Sequence, residues 1–293
     1  MKKFKVYAPS FWNHHRSGWK YCVNAIRETF HDDEGTALFT NSVEKKLIES
    51  NVNVCYENWV GFLHLSRGCF ESKYIQQKLI HNQCWKESFR NCCGLYVLSN
   101  YLHEAVEQYL DVKVETLIHP TESVEKKFKW SKFKNGPRRL IFIGHWLRKL
   151  KSLNDIFAPG YLKTFLNCGN NEKIHFDHDI EQINYLTNDV YDDWLSKNIV
   201  FIHLQDSSAN NIVIECIIRD TPLLVNRLPA LEEYLGTDYP LFFTNIEEAS
   251  SILQDESKLY EAHRYLSKIN KNKFSVKNFV DSIKKSSIYK SLG

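Results

Sequence analysis

The chain has 293 residues, 43% hydrophobic and 25% charged, with a formal net charge of +3. That length suits one large domain or two ordinary ones, and the composition excludes a disordered or fibrous chain. The charge is too small to argue for nucleic acid, no apolar run reaches a membrane span, and the opening MKKFKVYAPSFWNHH lacks the apolar core of a signal peptide.

In chain order, Phe4 to Ala8 reads as a strand entering the loop PSFWNHHRSG, which Gly18 breaks before a helix from Trp19 to Phe30. The loop has no G-x-G-x-x-G fingerprint, which argues against a dinucleotide-binding dehydrogenase. A strand at about Thr36 to Thr40 and a helix through Glu49 come next. Around Trp59, NWVGFLHLSRG reads as a third strand running into a loop at its carboxyl end. A long helical pattern covers Lys73 to Arg90. Gly94 to Ser99 is then a strand, Asn100 opens a helix, and Val114 to Ile118 is a strand ending in His119-Pro120-Thr121. Strands alternating with helices indicate a parallel sheet covered on both sides.

From Lys126 to Lys151 there are ten Lys or Arg and no acid. Such a run is most often a solvated linker or face, although an anionic ligand also explains it. It shows no amphipathic helical pattern, which counts against membrane insertion. Asn135-Gly136-Pro137 breaks it, and we place a domain boundary there: residues 1–134 form one unit and 138–272 a second, with a terminal helix in 273–293. Arg139 to Gly144 opens the second unit as a strand, Ile174 to Phe176 reads as its next strand, and Asp192 to Lys197 is helical. The eight cysteines include Cys92-Cys93 but no C-x-x-C, a spacing that fits neither a disulfide framework nor a zinc site and points to a reducing cytoplasm.

The stretch from Asn198 to Gly236 is the most informative. Ile199 to Leu204 is a buried strand, Asp206, Ser207 and Ser208 supply turn and N-cap residues, and Asn210 to Arg219 is a helix stopped by Asp220-Thr221-Pro222. Leu223 to Asn226 completes a βαβ unit. Within its helix, Ile212, Val213, Ile214, Cys216, Ile217 and Ile218 leave no wet face, yet Glu215 sits among them. A buried carboxylate needs a partner. Arg219, four residues on, offers an ion pair. A ribose hydroxyl pair is the other candidate, because crevices at the carboxyl ends of parallel strands bind nucleotides and the N–H groups of Ser207 to Asn211 suit a pyrophosphate.

The run Glu215-Cys216, Thr221-Pro222-Leu223-Leu224-Val225, Pro229-Ala230 and Glu232-Glu233 resembles the donor-binding half of GT-B glycosyltransferases, in particular their family-4-like group. The resemblance implies an α/β protein of two Rossmann-like domains whose parallel sheets face each other across a cleft, with the terminal helix crossing back to the first domain. It implies that Glu215 holds the ribose of a sugar nucleotide. The second glutamate of that family, eight residues earlier and touching the donor sugar, is Ser207 here. That departure bears on the sugar contact and on any retaining mechanism linked to it.

Gly144 to Ser152 is similar to the Gly … Lys arrangement with which the family neutralises a diphosphate. Gly144 lets the backbone approach a ligand, and Arg148 and Lys151 can reach phosphate oxygens, with Lys149 an alternative and a solvated basic loop the plain reading. Asn210 and Asn211 are expected near the pyrophosphate. In the first unit, His64 ends a strand where an acceptor hydroxyl would need a base, and a histidine satisfied by local hydrogen bonds competes with that role. His14, His15 and Arg16 are candidates for acceptor or phosphate binding, and His119 for a turn near the cleft. His175, Asp177, His178 and Asp179 contain a D-x-D triplet of the kind that holds a divalent ion in GT-A enzymes. We read it as a polar loop and expect no metal. Together the resemblance implies metal-independent transfer of a sugar from a nucleoside-diphosphate donor, UDP or GDP type, to a hydroxyl of a glycan or glycosylated acceptor. It calls for no further cofactor and no nucleic acid partner. A nucleotide-sugar epimerase on the same fold, or a non-catalytic nucleotide- or glycan-binding protein, is the alternative.

Overall fold

The computed structural model describes residues 4–7, 17–40, 43, 55, 57–168 and 174–292. Its first unit runs β1 (Phe4–Tyr7), α1 (Trp19–Phe30), β2 (Thr36–Phe39), β3 (Trp59–Leu63), α2 (Arg67–Phe70), α3 (Lys73–His81), α4 (Gln83–Phe89), β4 (Cys92–Val97), α5 (Asn100–Tyr109) and β5 (Val114–Thr116). The five strands are parallel and lie in the order 1-2-3-4-5. All five residues of β3 are buried, as a strand covered on both faces requires. Alternation along the strands divides them: Val60, Phe62 and Tyr96 pack with α1, while Trp59, Leu63, Leu95 and Val97 pack with α2 to α5. The expected helix from Lys73 to Arg90 is two helices. Asn82 ends the first and caps the second, its side chain accepting from the N–H of Trp85. The helix expected through Glu49 lies outside the described residues.

The second unit runs α6 (Trp130–Asn135), β6 (Arg139–Ile143), α7 (Ser152–Asp155), β7 (Leu162–Leu166), β8 (Glu181–Ile183), α8 (Asn188–Leu195), β9 (Ile199–Ile202), α9 (Asn211–Arg219), β10 (Leu223–Asn226), α10 (Pro229–Leu235), β11 (Phe242–Phe243), α11 (Ile246–Gln254) and α12 (Glu256–Lys268). Its six parallel strands take the order 11-10-9-6-7-8. This is a doubly wound sheet in which the strand order reverses between β6 and β9, the place where such sheets bind ligands. The strand expected at Ile174 to Phe176 does not form. The sheet is extended instead by β7, which pairs with β6 along its whole length, and by β8.

The Lys-rich segment before β6 keeps Lys126, Lys127, Lys129, Lys132 and Lys134 exposed, as a solvated run would, and is anchored by its aromatic residues. Phe128 and Phe133 are buried in the second unit's core, and the N–H groups of Phe128 and Lys129 donate to the carbonyls of Arg219 and Ser196. In α9 every residue from Ile212 to Arg219 is buried. The sequence offers Arg219 as an ion-pair partner for Glu215, but the fully buried guanidinium binds Asp192 of α8 at 2.6 Å. Its second nitrogen donates to the backbone carbonyl of Glu215.

After a short 3-10 turn the chain forms α13 (Val276–Lys285) and α14 (Ser287–Ser291) on the first unit. Phe279, Ile283, Ile288 and Tyr289 share a core with Phe4, Phe30 and Phe62. Gly94 allows that approach, since a Cβ there would lie 2.6 Å from Ile288. Glu115 accepts from the first N–H groups of α14, and the Tyr96 hydroxyl bonds to Ser286.

Direct polar contacts also join the units. Glu233 accepts from the N–H groups of Asn100 and Tyr101 at the start of α5, both at 2.7 Å, a favourable place for a carboxylate. Asp206 accepts from the N–H of Gly68, and the Tyr234 hydroxyl donates to the Leu98 carbonyl. Among the described residues no helix is long and apolar enough to cross a membrane.

Candidate functional site

The carboxyl ends of β6 and β7 and the first turns of α9 open onto a cleft of about 770 Å³ between the units. Three residues at or beside its rim have a left-handed backbone: Gly144 (φ 76°) and Cys168 (φ 57°), which line it, and Leu147 (φ 54°), next to Arg148. That conformation costs a side-chain-bearing residue about 1 kcal/mol or more, so surrounding bonds must hold it. At Gly144 and Leu147 they do: the Gly144 N–H donates to the Leu166 carbonyl, the Gln205 N–H to the Leu147 carbonyl, and the Lys149 N–H to the His203 carbonyl.

This turn presents Arg148 to the cleft. Its Nε and Nη1 donate to the carbonyls of Ile143 (3.2 Å) and Trp146 (2.8 Å). Nη2 lies beside Gly144, where a Cβ would be 3.7 Å from it. Burial lowers the pKa of Arg148 from 12.5 to about 10, and Cys168 is the ionisable neighbour that opposes the shift. A guanidinium taken partly out of water, with no carboxylate paired to it among the described residues, is an anion-binding group.

Glu215 lines the same cleft and accepts a hydrogen bond from the Tyr191 hydroxyl. Burial, then the Glu215 charge, pushes the Tyr191 pKa well up, so that hydroxyl remains a donor. Asn210, rather than Ser207 or Ser208, caps α9, accepting from the Ile212 N–H at 3.1 Å. Asn210, Asn211 and Gly144 all line the cleft. From the first unit, Lys20, Tyr21 and Asn24 of α1, with Glu122, form the facing wall. Sequence reasoning missed these four. The signal available was the polar pair Lys20 and Asn24, one turn apart on a helix whose other face is apolar.

A second cavity, about 320 Å³, adjoins the first and shares Trp146, Arg148, Ala209 and Asn210 with it. His64 lines it from the first unit, its ring edge-on to Trp19 at 4.9 Å. Asp206 and Ser207 line it from the second. Ser207 is buried, and its Oγ has no hydrogen-bond partner among the described residues.

Other candidates lie elsewhere. Lys151 and Lys149 are exposed and line neither cavity. His119 is a core histidine: buried, its Nδ1 bonded to the Pro120 carbonyl and its Nε2 3.5 Å from the Cys22 sulfur, with burial lowering its pKa to about 4. His14, His15 and Arg16 lie outside the described residues. The D-x-D triplet precedes β8, at the amino end of the sheet and away from the cleft. There Asp177 accepts from Asn154 and Asp179 pairs with Lys163.

No family model matches the sequence, and no curated protein does. Solved structures do. HepE from Anabaena, in complex with UDP, superposes with a TM-score of 0.63 at 11% identity, over 97% of this chain and 99% of that one. TarM gives 0.61 at 13% identity, over 93% of this chain and 58% of the longer TarM chain. Sucrose-phosphate synthase from Thermosynechococcus elongatus gives 0.59 at 9%, over 91% and 76%. At such identities the likeness speaks for the fold, which is GT-B: two parallel sheets, of five and six strands, flanking a cleft.

Proposed function

We propose that the protein is a glycosyltransferase whose donor, a nucleoside-diphosphate sugar of the UDP type, occupies the larger cleft. One observation carries this reading: Arg148, half-buried and with no carboxylate paired to it among the described residues, sits in the same cleft as the buried carboxylate of Glu215, at the reversal point of a doubly wound sheet. The complexes of HepE with UDP and with UDP-glucose support the choice of nucleotide.

Glu215 accepts from the ribose hydroxyls, held for the purpose by Tyr191. Arg148 and the N–H groups at the start of α9 meet the diphosphate charge as the bond from the sugar to phosphate breaks, so the leaving group needs no metal. Lys151 has no part in this. From the adjoining smaller cavity, His64 takes the proton of the acceptor hydroxyl as its oxygen bonds to the sugar carbon. The acceptor is a glycan or a glycosylated carrier. Contact between the units around the donor limits its hydrolysis by water.

A thermal-shift series with UDP, GDP, dTDP and CMP, with magnesium or with EDTA, tests the donor site, because a ligand bound only to the native state raises the midpoint. We expect UDP to stabilise the protein equally in both conditions and Glu215→Gln to reduce the effect. If no nucleotide stabilises the wild type, the donor assignment is wrong. Ser207, where the family has glutamate, favours a second reading in which nucleotide binds without transfer. Release of UDP from UDP-sugars in the presence of acceptor separates the two.

A further inference from the structure

The chain leaves β9 at Ile202 and enters α9 at Asn211. Of the loop between them, Ala209 and Asn210 line both cavities, and Asp206, Ser207 and Ser208 line the smaller one. Two of its side chains reach the first unit. The half-buried Asp206 carboxylate accepts from the Gly68 N–H of α2 at 2.6 Å with one oxygen, and from the N–H of its neighbour Ser207 at 2.7 Å with the other. Both are charge-assisted bonds, and using both oxygens leaves the carboxylate one orientation. The Ser208 hydroxyl meets that of Ser99 at 3.2 Å, and Ser99 caps α5 by accepting from the Leu102 N–H. The loop is thus fastened to two helices of the first unit just before it turns into α9.

Gly68 is what permits the shorter of these contacts. A Cβ there would lie 2.9 Å from the Asp206 oxygen, too close to be accommodated without displacing the carboxylate. Gly68 is not among the glycines with a left-handed backbone, so the close approach, and no strained turn, asks for glycine at this place. The same loop carries Asn210, whose side chain caps α9, and the α9 N–H groups that the donor reading sets on the diphosphate. His64, in turn, lies one short loop before Gly68 on the other unit.

We propose that Asp206 is a positioning residue: by bridging the Gly68 and Ser207 N–H groups it lets the first unit set the conformation of the loop that enters α9. The second unit carries Glu215 and Arg148, yet its cleft has full affinity for a nucleoside diphosphate only while the first unit holds that loop. The nucleotide part of this rests on the donor reading above, and the setting of the loop by the first unit does not. Coupling of this kind is reciprocal, so a diphosphate that favours the set loop strengthens the Gly68–Asp206 contact by the same factor.

Gly68→Ala tests this without changing a charge or the loop itself. Alanine is the better helix former, which offsets the lost bond in stability, while its Cβ displaces the Asp206 carboxylate. Amide hydrogen exchange of the ligand-free protein, read on peptides covering residues 204–212, should be about fivefold faster in Gly68→Ala and in Asp206→Asn than in wild type. The double variant should be no faster than either, because both remove one contact. Calorimetric titration should show the Kd for UDP raised about fivefold in each, with the urea midpoint of Gly68→Ala at the wild-type value. A contact that merely braces the fold shows the opposite split, a lowered midpoint with UDP bound within twofold of wild type, and that result overturns the proposal. Unchanged loop exchange in both single variants overturns it as well. If wild type binds no UDP, the donor reading falls, and the exchange measurement alone still decides whether the first unit sets the loop.

Discussion

Replacing Arg148 by methionine separates the cost of this side chain from its use. Its pKa falls from 12.5 to about 10, which corresponds to about 3 kcal/mol of lost solvation for the charged form. The residue is half-buried, so solvent screening reduces this to about 1–2 kcal/mol. Against that stand its bonds to the Ile143 and Trp146 carbonyls, about 1 kcal/mol each in net terms and partly replaced by water at an open turn. The two sums nearly cancel, and Arg148→Met should leave the stability of the free protein within about 1 kcal/mol of wild type by urea unfolding. UDP affinity should respond differently. Losing charge-assisted bonds to the diphosphate removes about 1.5–3 kcal/mol, a rise in Kd of about tenfold to a hundredfold by titration calorimetry. A variant destabilised by more than about 2 kcal/mol that still binds UDP within twofold of wild type would show that Arg148 is a strut for its turn, and the central argument for the site would be lost.

Glu215 on the ribose predicts that wild type discriminates UDP from 2′-deoxy-UDP, and that Glu215→Gln narrows the ratio of their dissociation constants, as competition binding would read. His119 predicts acid sensitivity. Its folded pKa of about 4 lies below the ordinary 6.5, so the unfolded chain binds the extra proton first. Its contribution is then fully present above pH 6.5 and is lost as pH falls toward 4, by up to about 3 kcal/mol. His119→Gln should flatten that part of the urea-denaturation pH profile, and an unchanged slope would contradict it. Removal of residues 276–292 takes away Phe279, Ile283, Ile288, Tyr289 and Leu292, each worth about 1.5–3 kcal/mol when fully buried, and bares the side of Phe4, Phe30 and Phe62 that they cover. Limited proteolysis should then cut the first unit long before the second.

Legibility in the sequence followed how much of the packing is local. The helix from Trp19 to Phe30 was readable from its apolar periodicity, and the βαβ unit through α9 from its apolar runs and the polar and proline residues that bound them. The strand β7 was missed because Leu162-Lys163-Thr164-Phe165-Leu166 puts three of its five residues into the core with only a brief apolar run to announce them. Glu-Gln-Ile of β8 has no strand pattern at all, being held by pairing to β7 at the sheet edge. The lysines before β6 are solvated as their number suggests, but Phe128 and Phe133, which fasten the segment, were hidden among them.

At the site, Glu215 and Arg148 were found because a carboxylate in an apolar helix and an arginine after a strand-end glycine are local anomalies. The partner of Arg219 was not, since Asp192 is 27 residues away and only tertiary packing brings it near. Likewise the His119 environment is built by Cys22 and Tyr234, from opposite ends of the chain. Strand-end position alone could not tell that histidine from His64.

The return of α13 and α14 to the first unit sets an order on synthesis. The first sheet is complete once Thr116 has been made, yet one face of it is finished only by Phe279 through Leu292. At ~5–20 residues per second, that face waits roughly ten seconds or more while the second unit is translated. The half that emerges first is thus the last to close. During the wait Phe4, Val60 and Phe62 are covered by α1 alone, a window in which a chaperone, or another nascent copy, meets the part of the apolar face that the terminal helices later cover.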